Sequence, residues 1–174
     1  MTRTLLTVVA VLLAAAWADG QTAPRLAADQ VRLLHANHAL LEDLVDHGVK
    51  LSNAAGTLDH AAECRRAVAT LGHALAAAAD DPHADPSRIA ELTDQVADLV
   101  RDGLTPTLAA ARAQIRAGSP GAEKLVGIET AAAADLAGCR QAVPADGRVG
   151  RADAVRRARA RLDAAGTGLS EPRP

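Results

Sequence analysis

The chain has 174 residues, with 19 Lys and Arg against 21 Asp and Glu, for a formal net charge of −2. So mild a charge gives no overall pull toward nucleic acid or an anionic membrane surface. There is no Phe or Tyr, one Trp (Trp17) and one Met (Met1), so beyond residue 17 the aromatic platforms used for base stacking and most interface anchors are excluded.

Residues 1–18 have the layout of a secretory signal peptide. Arg3 gives a basic start, Leu5 to Ala16 is an uncharged apolar run, and Ala16-Trp17-Ala18 is a small-x-small end before polar Asp19-Gly20-Gln21. The run is shorter than the roughly 20 apolar residues of a bilayer span. Export and cleavage after Ala18 follow, placing the mature chain in the periplasm or outside the cell without a stable transmembrane anchor. An uncleaved anchor or a buried helix is the alternative. Residues 19–145 then form a domain with 11 basic and 17 acidic groups, and residues 146–163 carry six Arg against three Asp.

The periodicity beyond the leader is helical throughout, with no strand alternation. A first helix is expected from Pro24 to Asn53. Its inward stripe is Val31, Leu34, His38, Leu41, Val45 and Gly48, widened by Leu33, Leu40, Leu44, His47 and Leu51. A second runs from Leu58 to Ala79, with Thr57 as N-cap and Ala61, Cys64, Val68, Leu71, Leu75 and Ala78 inward. After the break at residues 80–84, Asp85-Pro86 reads as N-cap plus N1 proline. The third helix continues through Ile89, Leu92, Val96 and Leu99, is kinked at Pro106 and ends near Ala117. Gly118-Ser119-Pro120 restarts the chain into a helix over 121–143, closed by Pro144. A weaker basic helix is expected over 146–165, with Val155 and Leu162 on one side, followed by a disordered tail from Gly166.

These elements predict an all-α antiparallel four-helix bundle with a C-terminal basic helix. Ala supplies 43 of the 174 residues. It is the best helix former and fills little space, so thin, closely spaced helices around a narrow seam are expected. From about Val31 to Val143 the chain resembles a group of uncharacterised exported helical bacterial proteins. The points of likeness are His38-Ala39-Leu40-Leu41-Glu42-Asp43-Leu44-Val45, Ala61-Ala62-Glu63-Cys64 and Ala113-Gln114-Ile115-Arg116-Ala117-Gly118-Ser119-Pro120. The resemblance implies a helical bundle of regulatory or structural type and carries no activity.

Several sets of residues carry candidate chemistry. Cys64 and Cys139 lie on the inward stripes of an exported chain, which predicts a disulfide. It would close a loop of about 75 residues, worth roughly 4 kcal/mol in the loop-entropy account. His35, His38 and Glu42 share one helix face and could converge on Zn²⁺ or Cu²⁺. His60, Glu63 and Cys64 form a second such group one helix on. With the two helices antiparallel, His47 falls nearer His60 than His35 and His38 do, so the two groups do not merge into one site. Arg156, Arg157, Arg159 and Arg161 could dock an acidic partner, an anionic envelope component or a second copy, while Asp94, Asp98 and Asp102 form an acidic ridge. No Glu-x-x-His, CxxC, CxxCH, Walker A, GxGxxG or GxSxG pattern occurs, so no cofactor and no catalytic set is expected. The resulting expectation is a non-enzymatic binding, structural or regulatory protein of the cell envelope. The alternative is a periplasmic metal sensor or chaperone.

Overall fold

The computed structural model describes residues 28–116 and 118–170, with side chains described between residues 37 and 168. The expected leader over 1–18 and the end of the tail over 171–174 lie outside the described residues. The chain divides into two units, 1–38 and 39–174. Of the first, the helical backbone from Ala28 and the side chains of Asn37 and His38 are described. Everything below concerns the second unit unless stated. The described residues are helical and include no strand.

Helix α1 covers Ala28–Asn53 and crosses the division between the units. Helix α2 covers Thr57–Ala79 and α3 covers Pro86–Asp98. A π-helical turn, Leu99–Leu104, leads directly into α4, Thr105–Gln114. Helix α5 is Pro120–Ala142, α6 is the single turn Gly147–Gly150, and α7 is Asp153–Ser170.

The punctuation residues act where their chemistry requires. The Asp85 carboxylate accepts from the Ser87 backbone N–H at 3.0 Å, so α3 begins on a satisfied N-cap with Pro86 at N1. Gly118, with φ of 76°, takes the left-handed conformation in the turn between α4 and α5 that a side chain would resist. Pro106 has no N–H to give the carbonyl one turn back. The helix absorbs it in the π turn: the Thr105 N–H reaches the Val100 carbonyl, five residues back, and the Thr107 hydroxyl donates to the Gly103 carbonyl at 2.6 Å. The helical path therefore continues through the proline, by way of the π turn, to Gln114.

The most extensive pairings are α3 with α7 and α2 with α5. Within each pair the helices run in the same direction. Asp59 of α2 meets Lys124 of α5, and further along both helices Arg65 meets Asp135. Likewise Asp94 and Asp98 of α3 meet Arg161 of α7, while Gly168 lies beside Thr105. Helices adjacent in sequence therefore do not make the largest contacts.

The basic C-terminal helix departs most from expectation. Val155, Ala158 and Leu162 are fully buried at i, i+3 and i+7, the spacing of a core-facing stripe. Helix α7 is thus a member of the core, and its helical backbone passes Gly166 to reach Ser170.

Helix α1 also differs. The side chains that pack against the core are Leu40, Leu44 and Leu51, with His47 among them. Leu41, Val45 and Val49 are exposed. Among the described side chains of the two apolar stripes, Leu40, Leu44, His47 and Leu51 face the protein, while His38, Leu41, Val45 and Gly48 of the expected inward stripe are exposed. Burial of an aliphatic side chain is worth about 1.5–3 kcal/mol and an exposed one contributes little. Leu44→Ala should therefore lower unfolding stability in urea by about 1–3 kcal/mol, and Val45→Ala by less than about 0.5 kcal/mol. The reverse order would contradict this register.

Candidate functional site

The two cysteines illustrate how the core is built. Both thiols are buried and free. The Cys139 Sγ occupies the space against Gly72 of α2, where an added Cβ would come within 2.7 Å of it. The Cys64 Sγ faces Gly103 instead, 3.6 Å from where a Cβ there would stand. Gly72 is eight residues beyond Cys64, about 12 Å along the helix, so the sulfurs sit at different levels of the seam. The expected Cys64–Cys139 disulfide is therefore not present. Burial raises the pKa of the Cys64 thiol, with a hydrogen bond to Thr107 acting against it and the charge of Glu63 adding to it. Burial, aided by Asp135, pushes Cys139 up to about 11. Both remain protonated and poorly nucleophilic at neutral pH.

For the expected metal set, the His35 side chain lies outside the described residues. His38, in the first unit, and Glu42, in the second, are both exposed. In the second group the His60 Nδ1 is bonded to the Gly56 carbonyl at 3.0 Å, and Glu63 is taken by other partners. Among the described residues no three His, Cys, Asp or Glu side chains converge as a metal-holding group.

The four arginines do not form one patch. Arg161 reaches across to α3 and pairs with Asp94 at 2.7 Å and Asp98 at 2.6 Å. Asp98 and Asp102 also pair with Arg101, at 2.9 and 2.6 Å. The acidic ridge and one end of the basic segment thus neutralise each other within the chain. Arg156 pairs with Asp153 in its own helix. Among the described residues Arg157 is exposed and Arg159 half-buried, and neither forms an ion pair.

Sequence reasoning missed the most enclosed polar cluster. Glu63 on α2 is 4 % exposed. Its Oε1 lies 2.5 Å from the Nδ1 of His47 on α1, and its Oε2 accepts from Arg66. The His47 Nε2 lies 3.0 Å from the Thr70 hydroxyl oxygen, one turn further along α2 than Arg66. With Glu63 ionised, Nδ1–H is the donor to it. The Thr70 hydroxyl can then donate to a bare Nε2 or accept from a protonated one, so the chain of bonds closes in either state. The visible signals were His47 on an apolar stripe and Glu63 on an inward face. The pairing itself depends on how α1 and α2 slide against each other.

A carboxylate, an imidazole and a hydroxyl in series can activate a nucleophile. Here Thr70 is in mid-helix, where backbone N–H groups are already committed to the helix and none is available to hold an oxyanion. The cluster's evident work is to tether α1 to α2. Burial would push the Glu63 carboxyl up, but the hydrogen bond from His47 and the charge of Arg66 outweigh it and hold the pKa below its usual value.

No family model matches the chain, and neither the curated proteins nor the solved structures contain a match to it. No helix among the described residues is long and apolar enough to cross a membrane.

Because the Glu63 pKa is lowered by folding, its contribution to stability is present above the ordinary carboxylate range and is lost as pH falls through the lowered value. Glu63→Gln should therefore lower stability by about 1–3 kcal/mol at pH 7. Urea unfolding should show that gap narrowing toward pH 3. A gap that is absent at pH 7, or constant with pH, would contradict the tether.

Proposed function

We propose that the protein is exported and acts without catalysis, as a helical binding protein of the cell envelope whose ligand is an anionic envelope polymer. The observation that carries this reading is the uneven fate of the arginines at the C-terminal end. Arg161 and Arg156 are held by carboxylates of the chain itself. Arg151, Arg157 and Arg159 form no ion pair among the described residues, and all three lie on or immediately before α7. Elsewhere the chain carries more acidic than basic groups, so unneutralised guanidinium groups at one end make it electrostatically polar. Guanidinium groups match carboxylate, sulfate and phosphate groups through paired N–H donors, and basic groups without a carboxylate partner raise association with a polyanion in a salt-dependent way. The layout of residues 1–18 supplies the address in this reading.

The test uses the full chain expressed with its own leader in a bacterial host. The exported product should begin at Asp19 and be retained on immobilised heparin at low salt. The triple substitution Arg151→Ala, Arg157→Ala, Arg159→Ala should elute at clearly lower salt with unchanged helical circular dichroism. Arg161→Ala, which breaks an internal pair, should elute near the wild type. A product that keeps residues 1–18, or a triple variant that elutes with the wild type, would overturn the proposal.

A further inference from the structure

Helices α1 and α7 each dock on the core by one stripe, and α1 is held less firmly. On α7, Val155, Ala158 and Leu162 are fully buried. On α1, Leu40, Leu44 and Leu51 pack against the core but are only partly buried. Leu41, Val45 and Val49 are exposed and add little. Apolar stabilisation scales with the area removed from water, and α1 makes no helix pairing as extensive as those within the core. Elements with few buried apolar contacts open locally, at lower free energy than the core.

The attachment of α1 to the chain leaves room for such an opening. Helix α1 ends at Asn53 and α2 begins at Thr57. The backbone hydrogen bonds of the turn run along the chain, from the Ala54 N–H to the Leu51 carbonyl and from the His60 N–H to the Gly56 carbonyl. Gly56 is extended, and a Cβ there would meet nothing within 4 Å.

The remaining hold is polar and centres on one carboxylate. Glu63 of α2 is buried and bonded to His47 of α1 and Arg66 of its own helix. These two groups are the charges that act on it most, with a smaller contribution from Lys50 of α1, which is itself paired with Asp46. Ionised, Glu63 draws both partners by charge-assisted hydrogen bonds; neutral, it loses that charge and accepts them only weakly.

We propose that residues 39–53 of α1 form a strap that lifts from α2 as a unit while the α2–α5 and α3–α7 pairs stay folded, with the Glu63 carboxylate as its acid-released latch. Against the cost of burial, His47 and Arg66 hold the Glu63 carboxyl below its usual range. The closed strap is therefore favoured above the ordinary carboxylate range and released as pH falls through the lowered value. Opening uncovers Glu63, Thr70 and the three inner leucines together. The strap is independent of the arginines in the polyanion reading, which lie on or beside α7.

Hydrogen exchange of the whole chain, read peptide by peptide by mass spectrometry, tests the proposal. At pH 7 the amides of residues 39–53 should be clearly less protected than those of α5. Glu63→Gln should lower their protection by about tenfold or more, as expected for the loss of a charged hydrogen bond, and leave α5 and α7 unchanged. Between about pH 5 and about pH 3 the wild-type strap, corrected for intrinsic exchange rates, should lose protection ahead of α5, and the Glu63→Gln strap should lose much less. Thr70→Val leaves the carboxylate in place and keeps the test decisive if Glu63→Gln does not fold. It should loosen the strap at pH 7 and preserve its response to acid. Equal protection of the strap and α5, loss of protection spread evenly over α1, α5 and α7 in either variant, or an acid response undiminished in Glu63→Gln would each overturn the proposal.

Discussion

With no Phe or Tyr and about a quarter of its residues Ala, this protein can fill its interior only by bringing helix backbones close together. Protein cores are packed to crystal-like density, and a core without large side chains reaches that density by narrowing its seams. Glycines mark where the approach is tightest. The Cys139 sulfur rests against Gly72 on the α2–α5 seam, and Arg140 lies across Gly166 on α7. The free state of the cysteines follows from the same constraint. Each sulfur is placed by the hollow it fills, and the two hollows are about two turns of α2 apart.

Around these narrow seams the charged groups are sorted by depth. At the margins are exposed or half-exposed pairs such as Lys124–Asp59 and Arg161–Asp98, each worth little by itself but arranged so that opposite charges meet where helices adjoin. Among the described residues, Glu63 is the only charged side chain that is buried. Removing one partner from a buried, hydrogen-bonded carboxylate costs more than any surface pair can. Helix α1 makes no helix pairing as extensive as those within the core. It is held by three leucines and by His47 bonded to Glu63 and Thr70, with an apolar face left outside at Leu41, Val45 and Val49.

Helix positions and their ends were largely legible from the chain, because Asp85-Pro86, Gly118-Ser119-Pro120 and Pro144 are local signals that need no tertiary context. What failed depended on partners distant in sequence. On α1 two apolar stripes of similar strength lie side by side, and only the position of α2 decides that Leu44 is inside and Val45 outside. On α7 the core stripe is Val155, Ala158 and Leu162, small enough among six nearby arginines to pass for a solvated helix. The inward placement of Cys64 and Cys139 was correctly seen, but their pairing required the levels of two helices to coincide. The close approach of Arg140 to α7 had no signature in the sequence, since it needs a glycine, Gly166, on one helix to face an arginine on another.

The dependence on close approach is tested most directly by Gly72→Ala. In an isolated helix this change should stabilise, by up to about 1 kcal/mol. In this fold the new methyl group meets the Cys139 sulfur, and overpacking of a tight seam costs about 1–3 kcal/mol. Thermal and urea unfolding should therefore show Gly72→Ala to be net destabilised. Addition of Cys139→Ala, which removes the sulfur, should make Gly72→Ala neutral or favourable in a double-mutant cycle. If Gly72→Ala by itself raises stability by the full helix-propensity amount, the α2–α5 seam is not as narrow as described and the account fails at its foundation.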